Sequence, residues 1–105
     1  MVLTHRETGV AVLATTLAPG KAFQLLEVRA HLNLAGAGGN LTAIVDNGSG
    51  SAYDLNIITH DMTAVVDFIF QPEYPMHFDA ADEIDFAWAN AGGKTYGLEV
   101  KYALV

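Results

Sequence analysis

Residues 83–104 read EIDFAWANAGGKTYGLEVKYAL, and the alternation of apolar and polar side chains in this stretch decides the fold class. In the first half, Ile84, Phe86 and Trp88 point one way and the residues between them point the other. The second half places five residues on one face in the same way: Tyr96, Leu98, Val100, Tyr102 and Leu104. A period of two is the pattern of a β-strand with one buried face. We therefore predict two strands that share one core and are joined by a hairpin turn.

The turn between these strands contains Gly92-Gly93-Lys94-Thr95, which looks like the end of a phosphate-binding loop. That motif requires another glycine five positions before Gly93, and the residue there is Trp88. It also requires a helix after the loop, so that backbone N–H groups at the helix start face the phosphates. A strand follows here instead, and the stretch is predicted to be a turn rather than a nucleotide site.

The rest of the chain shows the same alternation, interrupted at short intervals by glycine, serine and proline. No segment has the pattern of a convincing amphipathic helix. The alternation predicts eight strands: 9–18, 23–34, 40–46, 53–60, 63–70, 75–79, 83–90 and 95–104. Short strands at spacings of about 8 to 12 residues predict an all-β antiparallel sandwich or barrel.

The chain is predicted to form one domain, because most domains fall between about 50 and 200 residues. We assign residues 1–20 to an N-terminal arm or first strand and residues 21–105 to the β-sandwich domain. The segment Leu3–Leu17 also has residues that suit a helix, but Val10, Val12 and two threonines favour an extended chain.

The composition restricts the partners. Twelve acidic residues against five basic ones give a net charge of −7, which repels the phosphates of nucleic acids and of anionic membranes. No apolar run approaches the roughly 20 residues of a membrane helix, so we expect neither nucleic acid nor membrane as a partner. The chain is 51% hydrophobic and only 16% charged, whereas soluble domains average about 25% charged residues. This predicts that part of the outer surface is covered in a homo-oligomer or a larger assembly.

No constellation of residues points to catalysis or to a cofactor, and the absence of cysteine excludes a thiolate nucleophile. Oxygen donors cluster from Asp46 to Asp54, but glycines stand where an EF-hand needs oxygens, so only an irregular calcium site stays open there. The carboxylates of Asp82, Glu83 and Asp85 are predicted to be solvated. The four histidines contain no His-x-His pair: His5, His31, His60 and His77. We predict no enzyme, no cofactor and no metal, and an enzyme with an irregular metal site is the third interpretation.

Apolar side chains provide the candidate binding surface. Five aliphatic residues fall out of phase with the inward set, on faces predicted to meet water: Leu25, Ile44, Ile58, Val65 and Ile69. Large exposed apolar patches mark association surfaces, so these five are the predicted interface residues. A carbohydrate-binding or receptor-binding sandwich is the alternative, for which Trp88, Tyr53 and Tyr74 are the candidate stacking residues if they are exposed.

Residues 22–104 contain a series of segments whose order resembles that of known proteins. The segments are, in order, FQLLEVRAHLN, a glycine loop, NLTAIVDNGSGSAYDLNIITHDM, FIFQPEYPMHFDAADEIDFAWAN and TYGLEVKYAL. In this order the chain resembles a group of small tailed-phage virion proteins with a jelly-roll-like β-sandwich. The motifs shared are an Ala-Asp-Glu-Ile segment before a strand that ends in Asn, and a Thr-Tyr-Gly-Leu-Glu strand after the turn. These are turn and core residues, and the resemblance brings no catalytic residues.

The resemblance implies an eight-stranded jelly-roll-like sandwich that acts on the phage particle. Expected roles are a capsid decoration or cement protein, or a component of a head or tail fibre. The expected partners are further copies of the chain, with a trimer among the options, and the major capsid protein or another virion protein. The expected location is the virion surface, after synthesis in the host cytoplasm. Residues 1–20 lie outside the match, and our hypothesis is that they form an arm that reaches a neighbouring subunit.

Overall fold

The computed structural model describes residues 1–105, apart from the side chain of Ser51. Its backbone forms nine strands and one short 3₁₀ turn, and the prediction of an all-β sandwich is confirmed. No helix in the described chain is long and apolar enough to cross a membrane. The elements are β1 Val2–Gly9, β2 Leu13–Leu17, β3 Phe23–Leu32, β4 Asn40–Asp46, the turn Ser51–Tyr53, β5 Leu55–Asp61, β6 Asp67–Phe70, β7 Met76–Phe78, β8 Glu83–Trp88 and β9 Tyr96–Leu104.

The strands form two antiparallel sheets. Sheet A has the order β1-β9-β3-β6, with β7 also paired to β3, and sheet B has the order β2-β8-β4-β5. The pairs β1·β9, β2·β8, β3·β6 and β4·β5 are nested within one another along the chain. Such a ribbon of nested pairs, folded over into two sheets, has the topology of a jelly roll. Because β6 and β7 pair with successive parts of β3, nine strands fill eight positions.

The N-terminal residues are strands of the sandwich itself. All eight residues of β1 pair with β9, and all five residues of β2 pair with β8. The sequence predicted one strand over 9–18, and the structure has two strands around a turn at residues 10–12. Residues 1–20 therefore contribute one edge strand to each sheet, instead of an arm that extends from the domain.

The core lies between the inner faces of the two sheets. Ile84, Phe86 and Trp88 of β8 are at most 3% exposed, and they share this core with Tyr96, Leu98 and Val100 of β9. The predicted common core is confirmed, but the predicted hairpin is wrong. Strand β8 belongs to sheet B and β9 to sheet A, so the turn between them crosses from one sheet to the other.

Two β-bulges reverse the predicted orientation of two interface candidates. The pairing of β3 with β9 shifts between Leu25 and Glu27, which turns Leu25 into the core at 0% exposure. The pairing of β4 with β5 shifts at Ala43, which turns Ile58 inward at 6% exposure. A bulge adds one residue to one strand and so exchanges the faces of all residues beyond it. The prediction that Leu25 and Ile58 meet water is therefore wrong.

We expect deletion of residues 2–18 to abolish cooperative thermal unfolding, as measured by circular dichroism. The deletion removes β1 and β2, exposes the edges of β9 and β8, and takes Leu13 and Leu17 out of the core. Truncation of one buried leucine costs about 2–5 kcal/mol, and a domain has only about 5–15 kcal/mol in total.

The matched control is a chain with Val10→Ser and Val12→Ser in the exposed turn, which should keep its unfolding transition. A folded domain after the deletion would contradict this account and would restore the hypothesis of a free arm.

Candidate functional site

Four loops meet at one end of the sandwich, because antiparallel strands bring the turns after β1, β3, β5 and β8 to the same side. We call this surface the loop end; it comprises residues 10–12, 33–39, 62–66 and 89–95. Its sequence contains one charged residue, Lys94. The opposite end, by contrast, carries four charged residues in its loops: Lys21, Asp54, Asp79 and Asp82.

The loop end exposes large apolar side chains. Val10 and Val12 are each 61% exposed, Leu34 is 60% exposed and Val66 is 39% exposed. The other exposed residues of the loop end are mostly alanine and glycine. Contiguous exposed apolar surface on a soluble protein marks a site of association.

A buried asparagine connects two of these loops. The Asn90 side chain is 4% exposed, and its Nδ2 donates to the carbonyl oxygens of Ala11 at 2.9 Å and Lys94 at 2.8 Å. Its Oδ1 accepts a hydrogen bond from the Lys94 amide at 2.9 Å. The backbone φ of Asn90 is 50°, a left-handed conformation that asparagine adopts more readily than most residues. Asn90 therefore holds the β1–β2 turn against the β8–β9 turn.

The other two loops are joined by backbone hydrogen bonds. The Gly36 amide donates to the Val65 carbonyl, and the Ala64 amide donates to the Gly36 carbonyl, each at 2.9 Å. A side chain at Gly36 would collide with the Met62 carbonyl oxygen, so only glycine permits this close approach. The Trp88 indole N–H donates to the Gly38 carbonyl at 2.9 Å and connects this pair of loops to the core. The apolar surface is thus held by an ordered set of polar contacts beneath it.

A second cluster lies where the edge strands β1 and β2 approach each other. The Glu7 carboxylate accepts hydrogen bonds from the Thr15 hydroxyl and from the Tyr96 hydroxyl at 3.3 Å, and His5 Nε2 lies 3.3 Å from it. Gly9 permits this arrangement, because a Cβ there would stand 2.8 Å from the Tyr96 hydroxyl oxygen.

Electrostatics make Glu7 a poor general base. Burial by itself raises the pKa of Glu7, but the hydrogen bonds from Thr15, His5 and Tyr96 outweigh it and leave the pKa below the usual value of glutamate. Burial and the nearby Glu7 charge raise the pKa of Tyr96. An inward-pointing charge on an edge strand discourages pairing with a strand of another molecule. We therefore interpret Glu7 as a residue that protects the edge strand β1 from such pairing.

The five predicted interface residues do not form one patch. Leu25 and Ile58 lie in the core, and Val65 lies at the loop end, partly buried against the core. Ile44 is half-buried on the outer face of sheet B. Ile69 is 56% exposed on the outer face of sheet A.

The other sequence candidates are placed as follows. Trp88 is 3% exposed and cannot stack on a sugar, whereas Tyr53 and Tyr74 are 69% and 75% exposed. Asp46 accepts a hydrogen bond from the Gly48 amide within its turn. Among the described residues, no group of three or more histidine, aspartate or glutamate side chains is arranged to hold a metal ion.

Sequence reasoning missed Asn90 and the loop end. The signal for Asn90 was present, because asparagine before Ala-Gly-Gly is typical of a turn that needs a left-handed residue. The loop end had no local signal, since its four segments are joined only by the topology.

Comparison with known proteins gives no identification. No protein-family model matches the chain, and no curated protein matches it. What the structure itself defines is a β-sandwich with jelly-roll topology. One end of this sandwich has loops with a single charged residue.

We expect Asn90→Ala to lower the free energy of unfolding by about 2–4 kcal/mol, as measured by urea denaturation. The substitution leaves the Ala11 and Lys94 carbonyls without their donor, and each unsatisfied buried group costs about 1–3 kcal/mol. Asn90→Gly is the matched control for the backbone, because glycine accepts a positive φ at little cost. It should lose about 1 kcal/mol less than Asn90→Ala. A loss below 0.5 kcal/mol in both variants, on the order of a surface substitution, would contradict the role of Asn90.

We expect Glu7→Gln to reduce the pH dependence of stability in acid. Because the pKa of Glu7 is lowered in the folded state, its contribution is present above the usual glutamate pKa and is lost as pH falls through the folded pKa. Urea denaturation from pH 6 to pH 3 should show a shallower loss of stability in Glu7→Gln than in the parent. Glu73→Gln, on an exposed glutamate, is the control, and equal slopes for the two variants would refute the assignment.

Proposed function

We propose that the protein is a structural binding protein that docks on another protein through the loop end. In accordance with the resemblance of residues 22–104, we propose that it is a virion protein and that the surface it binds is the shell of a phage particle. The role is that of a decoration or cement protein. The single observation that supports docking at this end is a group of exposed apolar side chains with one charged residue among them, on a chain with a net charge of −7.

The composition of the loop end suits the centre of a protein interface. Charged residues are depleted at interface cores, because each one must lose its hydration when the interface forms. The loop end has Lys94 as its only charged residue, and the Lys94 side chain is half-buried beside Gly92. Little charge therefore has to be desolvated when a partner covers this surface.

The order of the loop end supports the same proposal. Binding loses free energy when flexible loops must become fixed, so loops that are already fixed bind more tightly. The contacts of Asn90, Gly36 and Trp88 fix all four loops before a partner arrives. The acidic residues lie elsewhere and would keep the free protein soluble.

We also propose that the protein assembles with copies of itself on the particle. The charged content of 16% is low for a small domain, and apolar residues outside the loop end, such as Ile69 and Val2, are more than half exposed. A second interface between copies would cover such residues.

The test compares two leucines of equal exposure at opposite ends of the sandwich. Leu34 at the loop end and Leu55 at the start of β5 are each 60% exposed, so aspartate at either site should cost little folding stability. We expect Leu34→Asp to reduce binding to purified particles at least tenfold in co-sedimentation, because it places a charge in the interface core. Leu55→Asp should bind as the parent does.

Two results would overturn the proposal. One is equal binding by the two variants, which would move the docking surface away from the loop end. The other is mass spectrometry of purified virions that finds no copy of the chain, which would refute the virion assignment itself.

A further inference from the structure

The outer face of sheet A contains a cleft of about 580 Å³ that the proposed docking does not use. Its floor is Gly97, and a Cβ placed there would have nothing within 4 Å. In the strand register, Gly97 lies between Thr8 of β1 and His31 of β3, and Asp67 of β6 follows. The cleft exists because this position without a side chain lies on an inner strand, between neighbours whose side chains point outward. Ligand pockets usually have volumes of about 300–1,000 Å³.

The next row of the same face supplies paired charges. Glu99 of β9 lies between Arg6 of β1 and Arg29 of β3, and Ile69 of β6 ends the row. The outward side chains of the cleft are thus two arginines, two carboxylates, one histidine, one threonine and one isoleucine. With the histidine neutral they carry no net charge, although the whole chain carries −7.

One ion pair and one hydrogen bond hold these polar groups in place. Arg6 Nε donates to Glu99 Oε2 at 2.8 Å, and His31 Nδ1 lies 2.6 Å from Asp67 Oδ1. The Glu99 pKa is lowered, mainly because of the hydrogen bond from Arg6, which favours the ionised carboxylate. A guanidinium has five N–H donors and a carboxylate has about four acceptor sites, which leaves donors and acceptors on the same groups for a ligand.

We propose that this cleft binds a neutral sugar residue. Each sugar hydroxyl both donates and accepts, and so matches a surface where arginine donors alternate with carboxylate acceptors. The apolar C–H face of the ring would lie over the bare backbone of Gly97 and against Ile69. The net charge of −7 repels an anionic ligand. A cationic ligand would be repelled by Arg6 and Arg29, which line the cleft. A planar nucleobase would find no phenylalanine, tyrosine or tryptophan on the outward face of the cleft, since Phe68 packs against the core.

The cleft adjoins the loop end, because Asp67 directly follows Val66, but it opens on the outer face of sheet A and its outward side chains belong to strands. A failure of particle docking through the loop end would therefore not contradict sugar binding in the cleft. A single sugar of about a dozen heavy atoms is small, and we expect a Kd in the millimolar range.

The test is a titration of ¹⁵N-labelled protein, observed by NMR, with three neutral sugars: methyl glucoside, methyl galactoside and N-acetylglucosamine. N-acetylneuraminic acid and glucosamine serve as anionic and cationic probes. At least one neutral sugar should shift the amides of Thr8, His31 and Gly97 with a millimolar Kd. Gly97→Val fills the cleft with a residue that suits a strand and should weaken binding at least tenfold. Ala87→Val, on the exposed outer face of sheet B, is the matched control and should bind as the parent does.

Three outcomes would overturn the proposal. These are no shift of the three amides at 20 mM of any neutral sugar, shifts by the charged probes only, or unchanged binding by Gly97→Val. Shifts that depend on protein concentration instead of sugar would also overturn it, since a second copy would then cover the cleft. If Gly97→Val does not fold, His31→Ala applies the same test, because the His31 side chain is 68% exposed.

Discussion

The nested antiparallel pairing of the chain is the constraint on which the other features depend. Strand β9 pairs with β1 on one side and with β3 on the other, so the last strand is an inner strand of its sheet only when the first strand is present. Nested pairs of this kind force the turns after β1, β3, β5 and β8 to one end. The topology thus determines that these four loops lie together. Their apolar character comes from the residues in them. The same pairing places Gly97 on an inner strand of sheet A, between β1 and β3, and so creates the cleft on that face.

Polar contacts beneath an apolar surface explain how the loop end is ordered without being charged. Loops normally expose their backbone polar groups to water, and burying these groups is unfavourable unless they are paired. Asn90 satisfies two carbonyls and one amide, and Trp88 satisfies a third carbonyl. Apart from Lys94 at the loop end and Glu73 in the loop between β6 and β7, the charged residues lie on the strands and at the opposite end. The molecule therefore has two distinct surfaces, an apolar end suited to a protein partner and a charge-balanced cleft suited to a polar one.

Local patterns predicted the strands and the all-β class, and they failed where long-range pairing decides. The alternation in 83–104 correctly placed Phe86 and Leu98 in one core. It gave the wrong faces for Leu25 and Ile58, because a bulge adds a residue that the alternation does not reveal. The cleft was beyond sequence reasoning for a similar reason. Arg6 and Glu99 are 93 residues apart along the chain and meet only because β1 pairs with β9.

Chemical accessibility of the loop end in the bound protein tests the central claim most directly. The chain has no cysteine, so Leu34→Cys and Leu55→Cys each introduce a unique thiol at a site of equal exposure. Maleimide labelling, followed by mass spectrometry, should modify both thiols in the free protein. On the particle, docking through the loop end predicts that the thiol at position 34 is protected while that at position 55 stays reactive. A thiol at position 34 that reacts equally fast in the bound and free protein would contradict the claim.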